Sequence, residues 1–531
     1  MSKDQNNSYD VAIVGAGIAG LFAAWRILQT SGSVPPKIIL LERSARVGGR
    51  LKTAFIDFAG HKIIVEEGGM RFLKSHSHLM KLIKDLGLKK QVKKFGMGDD
   101  NNHYYIRGQS FTRGDVKKSG HKLWKTIYNL SEDEVGKSPF QIVQQVMRKV
   151  AKPYENMGGK QGAKSNIWKP EDPFTWTRFR QMKYPKNSKL LIYQWGFRAL
   201  LEDLGLSNEC VQMLMDTGGF SIPYEDMVGA GSGLQLIASF PDNPKFWTLA
   251  EGYEELPLLI NDKITDLGAK IQLNCGVHTL CRDRKRFQLK TENRFNPIIY
   301  ADKVILALPA TPMKMLLKEN TGIRNTKTAL AHLEKIVHMP LTKINLYFEN
   351  DKWWREKGIK NGGCFTDLPL AQVYFFSIKT DDKDRKFTGI TIYSDGRRGN
   401  YWRQLQELGE DYRHDKKSAE IIAEKGLIVC KKIVVEHALK QLHKMFDREV
   451  PAPLFATISK WGDGGLGAGD HQWAVGADDE RIRDDLVEID TNLFLCGEAI
   501  SDYQDWVEGA LRSAERALQK GFKLLPYLTR I

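Results

Sequence analysis

Residues 9–28, YDVAIVGAGIAGLFAAWRIL, constrain the fold more than any other stretch. An apolar, β-rich run from Val11 to Val14 meets the turn Gly15-x-Gly17-x-x-Gly20, and an apolar stretch with helical spacing follows. Strand, glycine turn and helix in that order open a βαβ unit that receives a dinucleotide. Gly15 permits the tight turn, Gly17 lets the backbone approach a pyrophosphate, and Gly20 lets the helix pack on the strand. The helix N-terminus then faces the phosphates with free N–H groups. KIILLER (37–43) reads as a second buried strand ending in Glu42, 22 residues beyond Gly20. An acid there accepts from a ribose hydroxyl; the alternative is a solvated glutamate at a strand end.

Bulk properties narrow the field around this unit. A chain of 531 residues holds two or three domains. Its net charge of +15 is spread over scattered lysines, as in LKKQVKK (88–94) and DVKKSGHKLWK (115–125), without helix-turn-helix, finger or RNA-binding spacing. The expectation is a solvated basic surface and no nucleic-acid partner. Six cysteines form no C-x-x-C pair and no His/Cys metal spacing, as expected of free thiols in a reducing compartment. The opening MSKDQNNSYD has no apolar signal-peptide core, and the apolar runs fall short of a membrane span. Cytoplasmic localisation is the expectation.

After the second strand comes ERSARVGGRLKT (42–53), an E-R-x-x-R-x-G-G-R run. With the βαβ unit before it, this resembles the flavin amine oxidase group: monoamine, polyamine and L-amino-acid oxidases. The resemblance implies FAD, with Arg43, Gly49 and Arg50 touching its ribose, diphosphate and flavin side. An arginine fork suits a diphosphate because it donates two aligned hydrogen bonds. VEEGGMRF (65–72) matches the next block of the group, which runs across the flavin ring with Gly69, Met70 and Arg71. Amine oxidases generally lack an arginine here, whereas L-amino-acid oxidases have Met-Arg, the arginine pairing with the substrate carboxylate. A carboxylate buried beside a flavin needs such a charge-assisted partner. The alternative for Arg71 is a further flavin or structural contact.

Further blocks match as islands. WTLAEGYEELPLLINDKI (247–264) resembles the return to the nucleotide domain, AKIQLNCGVHTLCRD (269–283) reads as a strand pair, and ADKVILALPA (301–310) as a further buried strand. By resemblance Val277 makes a backbone contact to adenine. Lys343, in PLTKINLYFENDKWW (340–354), matches the lysine that holds a water against the flavin; the alternative is a surface lysine on an edge strand. Tyr374, in FTDLPLAQVYFFS (365–377), stands where L-amino-acid oxidases have a tyrosine sharing the carboxylate; the alternative is a plain strand aromatic. IYSDGRRGNYWRQL (392–405) also looks like bacterial tryptophan oxidases.

Near the C-terminus, KWGDGGLGAGDHQWAVG (460–476) supplies Trp461 as the group's tryptophan beside the flavin, glycines for a lid or loop, and His471 and Trp473 as residues for the substrate side, the alternative for His471 being a solvated loop histidine. NLFLCGEAISDYQDWVEGALRSAERAL (492–518) gives a buried strand into Gly497-Glu498, then Trp506-Val507-Glu508-Gly509 opening a helix. The resemblance implies Glu498 at the ribityl or diphosphate region, Trp506 as an aromatic wall, and the N–H groups from Val507 onward stabilising the reduced ring. No cysteine stands just before this block, where monoamine oxidases attach FAD, so non-covalent FAD is expected.

The fold expected is α/β: a Rossmann-like FAD-binding domain of glutathione-reductase-like flavin amine oxidase architecture, and a mixed α+β substrate-binding domain with a helical insertion. The FAD domain would assemble from 1–75, 250–315 and 455–531, and the substrate domain from 76–249 and 316–454. The activity expected is oxidative deamination of an L-amino acid by O2, with Arg71, Lys343, Tyr374 and Trp506 at the reacting centre. The rival readings are an amine or polyamine oxidase and an amino-acid 2-monooxygenase. The side-chain preference leans to large residues, aromatic or basic, the acids considered for a basic one being Asp216, Glu254, Asp502 and Asp505. A homodimer is the expectation from the group.

Overall fold

A computed structural model of the chain describes residues 7–32, 34–58, 61–151, 173–241, 244–295, 297–377, 388–415, 426–462 and 469–528. The loop expected at 157–166 and the glycines at 463–468 lie outside them.

Five parallel strands form the floor of the nucleotide-binding half, in the order Lys270–Gln272, Ile38–Leu41, Ser8–Val14, Ile298–Ala307, Leu493–Cys496. The central strands are apolar because both faces are covered, the usual state of a parallel sheet. The lower half of Ile298–Ala307 also pairs antiparallel with Arg286–Thr291, which pairs with Val277–Asp283, a meander added to the edge of the parallel core. The two strands expected within 269–283 both exist, but they are not paired with each other. Lys270–Gln272 joins Ile38–Leu41 and Val277–Asp283 joins Arg286–Thr291. A bend at Leu273–Gly276 separates them, tied down by the Cys275 N–H donating to Glu42 O at 2.8 Å.

The helix Ile18–Thr30 follows the glycine turn and buries eleven residues, Ile18 to Leu28, against the sheet and the C-terminal helix Val507–Phe522. The turn leaves no room for larger residues. A Cβ on Gly20 would stand 2.1 Å from Gly15 O, and Gly15 itself has φ +102. Arg26 is carried into this packing by a 3.3 Å pair with Glu515.

A second, seven-stranded sheet has the order Phe455–Trp461, Leu341–Phe348, Thr388–Asp395, Gln372–Ser377, Gly362–Thr366, His103–Ile106, Gln109–Thr112. All its neighbours are antiparallel except Gly362–Thr366 with His103–Ile106. Phe455–Trp461, which the sequence reading puts at the start of the last nucleotide-domain segment, pairs instead along Leu341–Phe348, because its apolar face completes the core of this sheet. Every residue of Leu341–Phe348 is buried, so that strand is covered on both faces. The helices Pro139–Ala151, Phe197–Asp203, Asn208–Gly218 and Ala230–Ala238 share a separate apolar core around Trp124, Trp176 and Phe197. Each such buried aromatic stabilises the fold by about 1.5–3 kcal/mol. Among the described residues no helix is long and apolar enough to cross a membrane.

Candidate active site

Against the seven-stranded sheet, at Leu341, Lys343, Tyr393 and Trp461, opens a cavity with about 850 Å³ of empty space, its mouth included. Arg50, Gly69, Met70, Arg71, Lys343, Trp461, Trp506 and Val507 line it, so eight of the residues singled out from sequence meet there. The others fall into two groups. Gly15, Gly17 and Gly20 form the turn, bridged to the E-R run by Gly17 pairing with Gly48 and by the Ala16 N–H donating to Glu42 Oε2 at 2.8 Å. Arg43 and Val277 lie at the outer rim of the same end, where Gly276 packs on the Arg43 side chain. Gly49, Gly497 and Glu498 bridge the turn and the cavity. Glu498 Oε2 accepts from Arg50 at 2.6 Å, His471 Nδ1 lies 2.8 Å from it, and Glu498 Oε1 accepts from the Asp505 N–H at 2.7 Å.

The wall that holds Arg71 is the distinctive part. The strand pair Thr53–Phe58 and His61–Glu66 ends at Gly68-Gly69, which delivers Met70 and Arg71 to the cavity. Arg71 is 7% exposed. Its guanidinium donates to Tyr374 Oη at 2.6 Å and contacts Met97 Sδ at 3.6 Å. It lies 4.9 Å from the Phe246 ring, 5.2 Å from Phe240 and from Tyr374, and 5.6 Å from Phe95. Among the described residues no carboxylate comes within 4.0 Å of it. Aromatic faces compensate only part of the cost of burying a cation, and a buried charge normally has an anionic partner. Tyr374 does not line the cavity. It stands behind Arg71, accepting from the guanidinium and donating to Gln372 Oε1 at 2.7 Å.

Lys343 is buried on a central strand, not on an edge. Its Nζ donates to the carbonyls of Glu66, at 3.2 Å, and Gly68. Burial pulls its pKa down to about 8, against the pull of Glu66 and Glu67. Burial likewise pushes Glu66 up to about 7, despite hydrogen bonds from Thr53 and Tyr253. Asp470 also lines the cavity and is pushed up to about 7 by burial and by Glu498, with Arg50 and Lys343 opposing. Trp461 donates its indole N–H to Glu67 O at 2.6 Å. Trp506 stacks on Phe246, centroids 5.8 Å apart, and meets His76 edge-on at 5.0 Å.

The structure redirects several readings. His471 is fully buried on Asp470–Trp473 and is held by Glu498, so it is neither solvated nor a cavity residue. Trp473 is buried with its indole N–H on Ser501 O. Asp216 pairs with Arg398, Glu254 with Arg46 and Asp502 with Arg512, all away from the cavity; only Asp505 of the four acids lines it. Sequence reasoning missed Tyr393, Asp470, Tyr253 and Phe240 as lining residues. Tyr393 stands opposite Lys343 on the neighbouring strand, which places both on one face, a register that the sequence does not display. Glu508 is buried and accepts from the N–H groups of His78 and Leu79, capping the helix Ser77–Asp85 from a distant part of the chain.

The profile described as flavin-containing amine oxidoreductase matches residues 18–519. The chain belongs to this family. Over 98% of its length it is 24% identical to Aplysianin-A of Aplysia kurodai, covering 91% of that protein. It is 25% identical to an L-amino-acid oxidase of Naja atra over 86% of its own chain and 77% of the other, and 27% identical to one of Mus musculus over 69% and 51%. Cyclohexylamine oxidase from Brevibacterium oxydans shares the fold, with a TM-score of 0.63 at 16% identity, 97% of this chain and 99% of that one being covered. Putrescine oxidase bound to putrescine does so too, with 0.63 at 17% and the same coverage.

The family's cofactor is FAD, and this flavin oxidoreductase has a cradle that fits it. A Cβ on Gly17 would meet nothing within 4 Å, so the backbone is open to a pyrophosphate at that point. No side chain caps the helix Ile18–Thr30 or the helix Val507–Phe522, so both N-termini keep donors for anionic groups. The six cysteines are free, and none lines the cavity.

Proposed function

We propose that this flavoenzyme is an L-amino-acid oxidase, converting an L-amino acid, O2 and water into a 2-oxo acid, ammonia and hydrogen peroxide. The observation that carries the reading is Arg71, a buried guanidinium in the cavity wall with aromatic rings around it and no carboxylate partner among the described residues. A substrate carboxylate supplies the missing charge and accepts two aligned hydrogen bonds. Tyr374, behind Arg71, holds the guanidinium in place, its own hydroxyl proton going to Gln372. Fixing the carboxylate orients the Cα–H bond, and such positioning accounts for much of the rate in reactions of this kind.

The glycine turn, Glu42, Arg50, Glu498 and the N-terminus of Val507–Phe522 would hold FAD, which would supply the two-electron oxidation of the Cα–N bond with O2 as final acceptor. Trp461, Tyr393 and Trp506 exclude bulk water from the reacting centre. The substrate amine reacts as the neutral form. Lys343 Nζ, its pKa pulled down by burial, stands in the cavity wall where it would hold the water that hydrolyses the imino acid. A homodimer belongs to the same proposal and is read by sedimentation.

The test is peroxide and 2-oxo acid release by the FAD-loaded chain, across the L-amino acids and their decarboxylated amines. Both products from at least one acid, with little from its amine, support the reading. Peroxide from amines alone makes this an amine oxidase, and an amide product makes it a monooxygenase.

A further inference from the structure

We propose that the cavity continues past Trp506 into a subsite for the far end of the substrate side chain, where Asp505 receives a terminal ammonium group. The substrate class is then the L-amino acids with an ω-amino group, of which L-lysine is the simplest probe. The inference rests on the carboxylate role of Arg71 proposed above.

A second, smaller recess, with room for a group about the size of a water or an ammonium, adjoins the main cavity, and Leu236, Asp505 and Trp506 line both. Its remaining wall is polar but uncharged: the hydroxyl residues Ser232, Ser239 and Tyr503 and the carboxamide residues Gln235, Gln472 and Gln504. Such a lining is poor for an aliphatic end and suited to a hydrogen-bond donor. Two acceptor atoms here are buried without a partner among the described residues, Asp505 Oδ1 and Gln472 Oε1. They sit on side chains already joined to each other, since Gln472 Nε2 donates to Asp505 Oδ2. An ammonium carries three donors and no acceptor, which is the complement of that pair. No basic side chain lies within 4.0 Å of the Asp505 carboxylate among the described residues, because Arg50, the nearest cation acting on it, is paired with Glu498. Burial, with Asp470 and Glu498 nearby, pushes the Asp505 pKa well up, and an arriving cation reverses that pressure.

The backbone points the same way. Asp505 has φ +71, a left-handed conformation that a non-glycine residue adopts at a cost. The surroundings impose it, through the Asp505 N–H on Glu498 Oε1 at 2.7 Å. The carboxylate does not repay the cost by capping the following helix: its donor is Gln472, and Val507–Phe522 has no side-chain cap. The span between the anchors is aromatic. Phe240, in the cavity wall, lies 5.2 Å from the Arg71 guanidinium, and Trp506, next in sequence to Asp505, lies 6.3 Å from the Phe240 ring, centroid to centroid. A methylene chain held at one end by Arg71 and at the other by Asp505 would lie along these rings.

Four compounds separate the two claims: L-lysine, L-norleucine, and their decarboxylated forms cadaverine and pentylamine. The FAD-loaded chain and its Asp505→Asn variant are assayed on each, with flavin absorbance per chain confirming that both are loaded. Asparagine tolerates the left-handed conformation, so the variant keeps the backbone. The expected result is a kcat/KM for L-lysine roughly tenfold or more above that for L-norleucine, with the ratio falling about tenfold in Asp505→Asn, mainly through KM. Gln472→Leu, which takes away the second acceptor, is expected to lower the same ratio. L-norleucine equal to L-lysine, or a ratio that neither variant moves, overturns the subsite while leaving the oxidase reading intact. Activity on the two amines and on neither acid overturns the carboxylate reading, and the subsite with it.

Discussion

From Gly15 to Glu42 the chain satisfies itself; from Arg71 to Asp505 it does not. At the glycine turn, Gly15 N–H reaches Leu41 O, Ala16 N–H reaches Glu42, and Gly48 N–H reaches Ala16 O, all within a few dozen residues of sequence. The cavity wall is assembled from segments hundreds of residues apart, and among the described residues it leaves a guanidinium without an anion and a carboxylate oxygen without a donor. The first region is complete as backbone and asks only for a ligand that tolerates close approach. The second holds uncompensated charge, which costs stability unless something arrives to meet it. The contrast separates what the fold must do to bind a nucleotide from what this chain adds to choose a substrate.

Four changes break or sharpen the contrast, in falling order of effect. Gly20→Val puts a side chain against Gly15 O, where even a Cβ stands at 2.1 Å. Loss of the folded, flavin-loaded protein is expected, seen as absent flavin absorbance in the soluble fraction. Arg71→Ala should leave flavin content unchanged and lower kcat/KM for L-amino acids by about 10²- to 10³-fold, the usual effect of removing one partner of a buried charged contact.

The third is a pH effect at His76, which supports Trp506 edge-on and whose pKa burial lowers to about 4 from the ordinary 6.5. As pH falls, the unfolded chain therefore takes this proton first. The stability that neutral His76 contributes is present above pH 6.5 and is lost as pH falls toward 4, by up to about 3 kcal/mol. The drop in Tm between those two pH values should shrink in His76→Gln. The smallest is Tyr374→Phe, which deprives Arg71 of its 2.6 Å hydroxyl contact. A loss in kcat/KM of about tenfold is expected; no loss would make Tyr374 a packing residue only.

The same contrast explains what could be read from sequence. The glycine turn, the strand ending at Glu42, and Gly497-Glu498 were legible because local backbone needs leave local patterns. Arg71 and Lys343 were legible as charges in apolar blocks, with the family likeness to say why. Asp470, Tyr393 and Phe240 were not, because what brings them to the cavity is sheet register and packing between distant segments. Alternation along Leu341–Phe348 set Lys343 and Asn345 opposite Ile344 and Leu346, but with both faces covered it did not say which face meets the cavity. His471 was misjudged because the partner that buries it, Glu498, lies 27 residues further along the chain.

The claim that matters most is that Arg71 is a carboxylate anchor, and it can be measured without turnover. Benzoate, a carboxylate with no oxidisable amine, is titrated into the FAD-loaded chain while the flavin spectrum is followed. A saturable spectral change in the wild type, lost in Arg71→Ala at equal flavin content, is the predicted result. Equal benzoate affinity in the two proteins would contradict the account.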